Sequence, residues 1–261
     1  MELLDLSVEL IAFLFVVSII AGLIDTLAGG GGLIVLPALI MCGIPPLQAL
    51  GTNKLQGTMG TLTATFMMFK NKKVEFKNVK LMMLTAFLGA VLGTIIIQWV
   101  DVELLSIMIP IVLLFIGFYF LLSPSVSEEQ RAAKLSQQRY QASVVPIIGC
   151  YDGMFGPGTG SFFALAGVSM RGFGLIKATA QAKPLNFATN LASLLVFIAA
   201  GQVIWAVGLF MMVGQVLGAW LGAHCLFIVN PRYIKAIVVV MCFSMLLKYA
   251  HSMGWLDFLG I

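Results

Sequence analysis

The sequence contains few charged residues: only 10% of its 261 positions are Asp, Glu, Lys or Arg, whereas 60% are hydrophobic. A water-soluble domain usually carries about 25% charged residues. The mean hydropathy of +1.03 leaves too little polar side-chain material to cover a soluble fold. This shortage of charge excludes an ordinary soluble enzyme or binding domain and predicts an integral membrane protein.

Several short motifs are absent as well. No two of the four cysteines are close enough to form a CxxC pair, so neither a disulfide framework nor a metal site is expected. No Walker A motif is present, so the chain is not expected to use ATP by itself. We therefore predict no metal and no cofactor. The cysteines are interpreted as small buried hydrophobic residues: Cys42, Cys150, Cys225 and Cys242.

The basic residues lie in short segments between apolar runs, where membrane proteins carry their orientation signals. The net charge of +4 therefore does not indicate nucleic-acid binding. The N-terminus carries the acidic residues Glu2 and Asp5, whereas a cleavable signal peptide begins with a basic region. The first apolar run is accordingly expected to stay in the membrane.

Ten apolar runs divide the sequence, and several are near the roughly 20 residues that a membrane-spanning helix needs. Two of them, 33–43 and 161–170, are too short to span, and each follows a glycine cluster. The polar stretch 123–142 separates a first half, 1–122, from a second half, 143–261, of one membrane domain. The runs cover residues 8–28, 33–43, 48–69, 79–100, 104–122, 143–156, 161–170, 177–200, 204–229 and 233–250.

The two halves repeat each other. Three blocks recur in the same order at nearly constant spacing, since 152 − 25 is 127 and 183 − 54 is 129. Such self-similarity is typical of transporters built by internal duplication. The matched blocks are 25–32 with 152–160, Lys54 with Lys183, and 88–93 with 217–222.

The loop charges indicate that the repeats are inverted. Loop 70–80 contains five lysines, whereas its counterpart 201–203 contains none. The following loop is acidic in the first half, and its counterpart near residue 232 is basic. The positive-inside rule then places loops 70–80 and 123–142 in the cytoplasm and both termini in the periplasm. The predicted fold is an all-α polytopic membrane protein with two inverted repeats of about four transmembrane helices each and glycine-broken hairpins.

The glycine clusters are predicted to break helices, because each glycine in a helix costs about 1 kcal/mol relative to alanine. A helix that begins at such a break presents unpaired backbone N–H groups, which attract anions. The alternative is close helix packing through small residues. The candidate substrate-binding residues at the breaks are Gly29, Gly30, Gly31, Gly32, Gly156, Gly158, Thr159, Gly160 and Ser161, with Pro157 between them.

Two lysines occupy equivalent positions in the halves, Lys54 and Lys183. Charged residues inside a membrane usually face a cavity or a partner, so an anion-attracting pair is one interpretation. The other is that both side chains snorkel to an interface. Polar neighbours favour the anion site, and we include them as candidate substrate-binding residues: Thr52, Asn53, Gln181, Asn186 and Asn190.

Two carboxylates, Asp25 and Asp152, each precede a glycine break by four residues. They are candidates for proton coupling, because intramembrane carboxylates often relay protons. They are also candidates for capping the broken helix by accepting backbone N–H bonds. A third interpretation pairs Asp25 with Lys183 and Asp152 with Lys54.

Small residues also recur every four positions elsewhere, which favours close helix packing. These residues are Thr85, Gly89, Gly93, Gly214, Gly218 and Gly222. His224 and His251 are isolated, and we interpret them as structural.

The motif 22–32, Gly-Leu-Ile-Asp-Thr-Leu-Ala-Gly-Gly-Gly-Gly, with Pro37, 43–45 and 49–53, resembles the TauE/SafE family of sulfite and organosulfonate permeases. The second half, 152–160 with its lysine and two asparagines, resembles that family's second repeat. The resemblance covers nearly the whole chain. It implies an inner-membrane permease with about eight transmembrane helices that moves small, often sulfur-containing, anions.

The leading hypothesis is an inner-membrane secondary transporter for a sulfur oxyanion, organosulfonate or organic acid. The expected partners are this small anion, the lipid bilayer and, as coupling ion, the proton; a homo-oligomer is compatible with the sequence. The alternatives are a channel-like facilitator, a structural scaffold, and an intramembrane enzyme with Ser161 as nucleophile and His224 or His251 as base. The scaffold leaves the matched lysines unexplained, and the nucleophile has Leu33 as its counterpart.

Overall fold

A computed structural model describes residues 7–122 and 130–226, and the separate positions 239, 240, 243, 244, 247 and 251. Every regular element within 7–122 and 130–226 is helical. The elements are α1 (Val8–Ala28), α2 (Gly32–Met41), α3 (Pro46–Lys70), α4 (Phe76–Ile97), α5 (Val102–Leu122), α6 (Gln137–Arg139), a π-helical segment (Tyr140–Val144), α7 (Val145–Met154), α8 (Thr159–Arg171), α9 (Leu175–Ala199) and α10 (Trp205–Cys225).

Four described helices are long and apolar enough to cross a membrane: α1, α4, α9 and α10. This is fewer than the roughly eight predicted from sequence. α3 has 25 residues but carries many polar ones, which are buried. α7 and α8 have only 10 and 13 residues, since the second glycine cluster divides them. Most of the last apolar run, 233–250, lies outside the described residues.

Glycines on α4 allow α7 to pack directly on its backbone. Gly89 meets the Pro146 carbonyl and Gly93 meets the Cys150 carbonyl, so neither position has room for a Cβ atom. The contacts advance together along both helices, and α4 and α7 therefore run parallel. Gly89 and Gly93 thus allow close helix packing, as predicted. The Thr85 hydroxyl instead donates to the Met82 carbonyl of its own helix.

The matched pair α1 and α10 packs in the same way. Gly218 meets the Ile19 carbonyl and Gly222 meets the Leu23 carbonyl, while Gly214 lies against Ser18. These contacts again advance together, so α1 and α10 are parallel. The packing predicted for the three glycines of α10 is confirmed. The first helix of each half thus packs on the fourth helix of the other half.

α3 lies between α9 and α10 and packs on both. Gly51 meets the Gln202 carbonyl just beyond the end of α9, whereas Gly57 lies beside Asn190, further back along that helix. α3 and α9 therefore run antiparallel. Towards α10, Gly60 accommodates the side chain of Gln215. This arrangement buries the polar face of α3 inside the protein.

Three sequence predictions need correction. The basic loop is shorter than 70–80, because α4 begins at Phe76 and its first turns include Lys77 and Lys80. The polar stretch 123–142 becomes helical at Gln137, where the Ser136 hydroxyl accepts the N–H of Arg139 and starts the helix; residues 123–129 lie outside the described part.

The cysteines differ from prediction too. Cys42, Cys150 and Cys225 are partly exposed instead of buried, because each lies at a helix end or on a face that its neighbours cover incompletely. Cys242 lies outside the described residues.

Candidate functional site

Both glycine clusters interrupt the helical structure, as predicted. α1 ends at Ala28, and Gly29 follows with a φ of 75° before α2 begins at Gly32. α7 ends at Met154, and Gly156 and Gly158 have φ values of 94° and 79°. Side chains other than hydrogen are strained in this left-handed region, which explains the glycines. Each half therefore contains a helix, a sharp turn and a shorter helix.

The two breaks touch each other. The backbone of Gly29 packs on that of Gly160, and Gly32 packs on Pro157. The Ser161 hydroxyl donates to the Ala28 carbonyl across the same contact. We call this meeting point, residues 29–32 with 156–160, the glycine crossing. It brings the N-termini of α2 and α8 to one place inside the protein, so the positive ends of two helix dipoles lie together.

Lys54 reaches the glycine crossing from α3 and forms an ion pair there. Its Nζ lies 2.9 Å from Asp152 Oδ2, and both side chains are 1% exposed. A Cβ atom on Gly156 would lie 3.1 Å from the same ammonium. Asp152 also accepts the Thr159 hydroxyl, at 2.7 Å. The interpretation that pairs Asp152 with Lys54 is confirmed, and Lys54 does not snorkel to an interface.

Apart from this ion pair, neither Lys54 Nζ nor Asp152 Oδ2 has a hydrogen-bond partner among the described residues. An ammonium has three donors, so Lys54 has donors left to offer. Burying unused donors of a charged group is unfavourable. A hydrogen-bond acceptor bound beside the glycine crossing would therefore satisfy these donors.

Lys183 reaches the glycine crossing from α9 but has a different partner. Its side chain is completely buried, and Nζ donates to the backbone carbonyl of Asp25 at 2.6 Å. The Asp25 carboxylate instead accepts the N–H of Gly31 at 3.2 Å, as a capping residue does. Snorkelling is thus wrong for Lys183 as well. Its contact with Asp25 is through the backbone and not through the predicted carboxylate pair.

Buried amides surround the lysines. Asn190 Nδ2 donates to Asn186 Oδ1 at 3.0 Å, and a Cβ atom on Gly160 would lie 3.4 Å from Asn186 Nδ2. On α3, Gln56 Nε2 donates to Asn53 Oδ1 at 2.8 Å. The predicted residues Asn53, Asn186 and Asn190 therefore lie on the same helices as the lysines, and Asn186 lies next to the glycine crossing.

Two predicted residues lie elsewhere. Thr52 accepts the N–H of Ile204 at 3.1 Å and fixes the start of α10. Gln181 lines a small cavity with Tyr140 and Phe163 between α4, α8 and α9. Both residues precede their lysine in sequence, but helix geometry turns them to other faces, because residues two apart differ by about 200° around a helix.

Sequence reasoning missed three polar residues near the site. Gln56 and Gln215 are buried, and the Oε1 atom of each has no partner among the described residues. The Tyr151 hydroxyl donates to the Pro157 carbonyl at 2.6 Å and holds the second break. Gln56 was detectable, since it follows Asn53 by three positions. The other two stand in apolar runs without a repeat partner of the same type.

The site has the chemistry of an anion site. Two ammonium groups, two helix N-termini and several amides converge, and the described residues contain no cluster of three His, Cys, Asp or Glu side chains. Such donors suit an oxyanion. The direct contact of Gly29 with Gly160 leaves no space between the breaks.

Comparison with known proteins shows that nearly the whole chain is similar to probable membrane transporters. Residues 14–249 match the family described as "Sulfite exporter TauE/SafE". The chain is 44% identical to a probable membrane transporter protein of Haemophilus influenzae, over 97% of this chain and 100% of the relative. It is 41% identical to the probable membrane transporter protein YfcA of Escherichia coli K12, over 97% and 95%. No solved structure matches it.

Proposed function

Because the chain belongs to the TauE/SafE family of membrane transporters, we propose that it is a secondary transporter for a small anion that binds at the glycine crossing. The observation that carries this proposal is the burial of Lys54 and Lys183, which are 1% and 0% exposed. Taking an ammonium out of water costs several kcal/mol. Lys54 is paired with Asp152 but has donors left over, and Lys183 has a backbone carbonyl as its partner, so a negative ligand would satisfy both ammonium groups.

The proposed site lies where each half contributes one lysine and one broken helix. The ammonium of Lys54 has unused donors beside Gly156. The N-terminal amides of α8 are adjacent, and Asn186 adds an amide next to Gly160. An oxyanion with several acceptor oxygens satisfies donors of all three kinds at once.

The two halves are proposed to be inverted repeats. One arrangement supports inversion: α3 is antiparallel to its counterpart α9. The contacts of α1 with α10 and of α7 with α4 are equivalent in the two halves. A twofold axis perpendicular to the helices produces these directions. In a bilayer that axis lies in the membrane plane, and binding sites of inverted-repeat transporters lie on it near the midplane.

The membrane is proposed to be the bacterial inner membrane, with the lysine-rich turn after α3 in the cytoplasm and both termini in the periplasm. The charges support this orientation, because Lys70, Lys72, Lys73, Lys77 and Lys80 surround one turn. The segment 130–142 carries Arg131, Lys134 and Arg139 and follows two helices later, on the same side.

The transported compound is proposed to be a sulfur oxyanion, an organosulfonate or an organic acid. The family description refers to sulfite export, which supports the sulfur oxyanion, and the lysines and amides suit all three. A channel-like facilitator is the second candidate. Accumulation of the anion against its gradient, lost when the proton gradient is collapsed, identifies a carrier.

An enzymatic role is not proposed. The Ser161 hydroxyl is bonded to the Ala28 carbonyl, whereas His224 is exposed on α10 and bonds through Nδ1 to the Trp220 carbonyl. A serine nucleophile needs a base within hydrogen-bond reach. Ser161 lies beside the glycine crossing, where its hydroxyl joins the second break to the end of α1.

A thermal-shift screen of the purified protein in detergent tests the proposal. The panel contains sulfite, sulfate, methanesulfonate, carboxylates and amino acids. An anion that binds only the folded protein at a hundredfold excess over its Kd stabilises it by about 2.7 kcal/mol. We expect stabilisation by at least one anion and its loss in Lys183→Met. Uniform response to all compounds, or an unchanged response in the variant, contradicts the proposed site.

A further inference from the structure

The charges at the glycine crossing add up to zero. Among the described residues, the buried charged side chains are Lys54, Lys183 and Asp152, and the partly exposed Asp25 is the fourth member of the group. Two positive and two negative charges leave no net charge to attract a ligand. A monoanion that enters this group makes it negative, which is unfavourable away from water. An anion is therefore held best when one carboxylate loses its charge.

The two carboxylates are not equivalent in this respect. Lys54 with Asp152 is the one pairing of a lysine or arginine with a carboxylate within 4.0 Å among the described residues. Asp152 also accepts a hydroxyl and is 1% exposed. Its charge is fixed by a partner and is sealed from water. Asp152 is therefore already engaged by an ammonium and a hydroxyl.

Asp25 is less restricted, because its carboxylate has no ion-pair partner among the described residues. Its carboxylate accepts one amide N–H, that of Gly31, at 3.2 Å, and the residue is partly exposed. The charged groups that face it are Lys183, Asp152 and Lys54, and α2 and α8 present none near it. Lys183 donates to the carbonyl of Asp25 itself. A change of charge on the carboxylate is therefore felt directly by this ammonium.

We propose that Asp25 takes up one proton for each anion bound, and that Asp152 does not. This inference rests on the proposed anion site. The ionised carboxylate, one proton and the anion give a neutral carboxylic acid beside a complex of the anion with the Lys183 ammonium. No bond other than the O–H bond forms. Asp152 remains the counter-ion of Lys54 throughout, so the two halves have different tasks.

Calorimetric titration with methanesulfonate and with sulfate, in buffers of different ionisation enthalpy, counts the protons. Neither anion changes its charge near neutral pH. We expect one proton taken up per anion by the wild-type protein, and affinity that falls about tenfold per pH unit once Asp25 is ionised. Asp25→Asn keeps an oxygen for the Gly31 amide and removes the titratable charge, so it is expected to bind with no proton uptake and no pH dependence.

Asp152→Asn is the matched comparison, and it is expected to retain proton uptake even if its stability is lower. Binding by the wild-type protein without proton uptake overturns the inference while the anion site stands. Proton uptake that persists in Asp25→Asn overturns it as well. Absence of binding by the wild-type protein to both anions overturns the proposed sulfur-oxyanion site and this inference together.

Discussion

Gly29 and Gly160 touch backbone to backbone, although 131 positions separate them in the sequence. Gly29 caps the end of the first helix of one half, and Gly160 lies in the first turn of the short helix α8 of the other. Because neither has a side chain, the two broken helices close on each other completely. Their contact is the closed position of the proposed anion site.

Gly160→Ala tests this contact. Gly160 is helical and alanine is compatible with its backbone, but the new Cβ would lie 2.6 Å from the Gly29 Cα. We expect a loss of about 1–3 kcal/mol of stability and a reduced transport rate, because the breaks no longer close. Gly167→Ala on the same helix is the control, since the atom nearest to its Cβ would be the Ala178 Cβ at 3.2 Å. Equal effects of the two substitutions contradict a specific role of the contact between Gly29 and Gly160.

The two lysines are expected to respond differently to removal. Lys54→Met leaves Asp152 as an unpaired buried charge, which costs about 3–5 kcal/mol. Lys54→Met with Asp152→Asn removes both charges and is expected to recover most of that stability. Chemical denaturation in detergent measures the difference. The ion pair contributes nothing if the double variant is no more stable than the single one.

Lys183→Met removes a cation whose partner is a neutral carbonyl, so its effect on folding is expected to be smaller. We expect anion affinity to fall at least tenfold, which corresponds to about 1.4 kcal/mol. Lys183→Arg is expected to restore binding only partly, since the guanidinium is larger and forked. Calorimetry measures the anion affinity of both variants and of the wild-type protein. Wild-type affinity in Lys183→Met shows that Lys183 is structural.

Cysteine labelling tests the orientation. In a protein without the native cysteines, Glu75→Cys is expected to react with a membrane-impermeant maleimide only after the cells are opened. Trp99→Cys is the matched comparison, because Trp99 is 86% exposed and lies at the other end of α4. It is expected to react in intact cells. The reverse pattern contradicts the orientation proposed here.

The helix–helix contacts give a further prediction. Gly93→Ala and Gly222→Ala occupy matched positions, and each places a Cβ against a backbone carbonyl of the opposite half. Both are expected to lower the melting temperature. Gly43→Ala is the control, because no atom lies within 4 Å of its Cβ position and only its φ of 80° opposes the change. A larger effect in the control than in both variants excludes close backbone contact.

The sequence predicted the parts of this structure that depend on local chemistry. The glycine breaks, the short helices after them and the packing glycines of α4 and α10 follow from backbone constraints that residue types express directly. The burial of Lys54 and Lys183 was one of two interpretations, because the cost of burying a charge depends on partners elsewhere in the chain. The ion pair of Lys54 with Asp152 could be suggested by the repeat. The carbonyl partner of Lys183 could not, since backbone acceptors leave no trace in the sequence.

The crossing of helices between the halves has a consequence for the synthesis of the protein. α1 emerges first but packs along α10, which begins 177 residues after α1 ends. Lys54 likewise pairs with Asp152, which is synthesised nearly a hundred residues later. Neither half can complete its own packing, because Lys54 and the glycines of α4 meet their partners only after α7 is made, and α1 meets α10 only near the end of translation. Halves made as separate chains are therefore complementary pieces, each stable only after it has met the other.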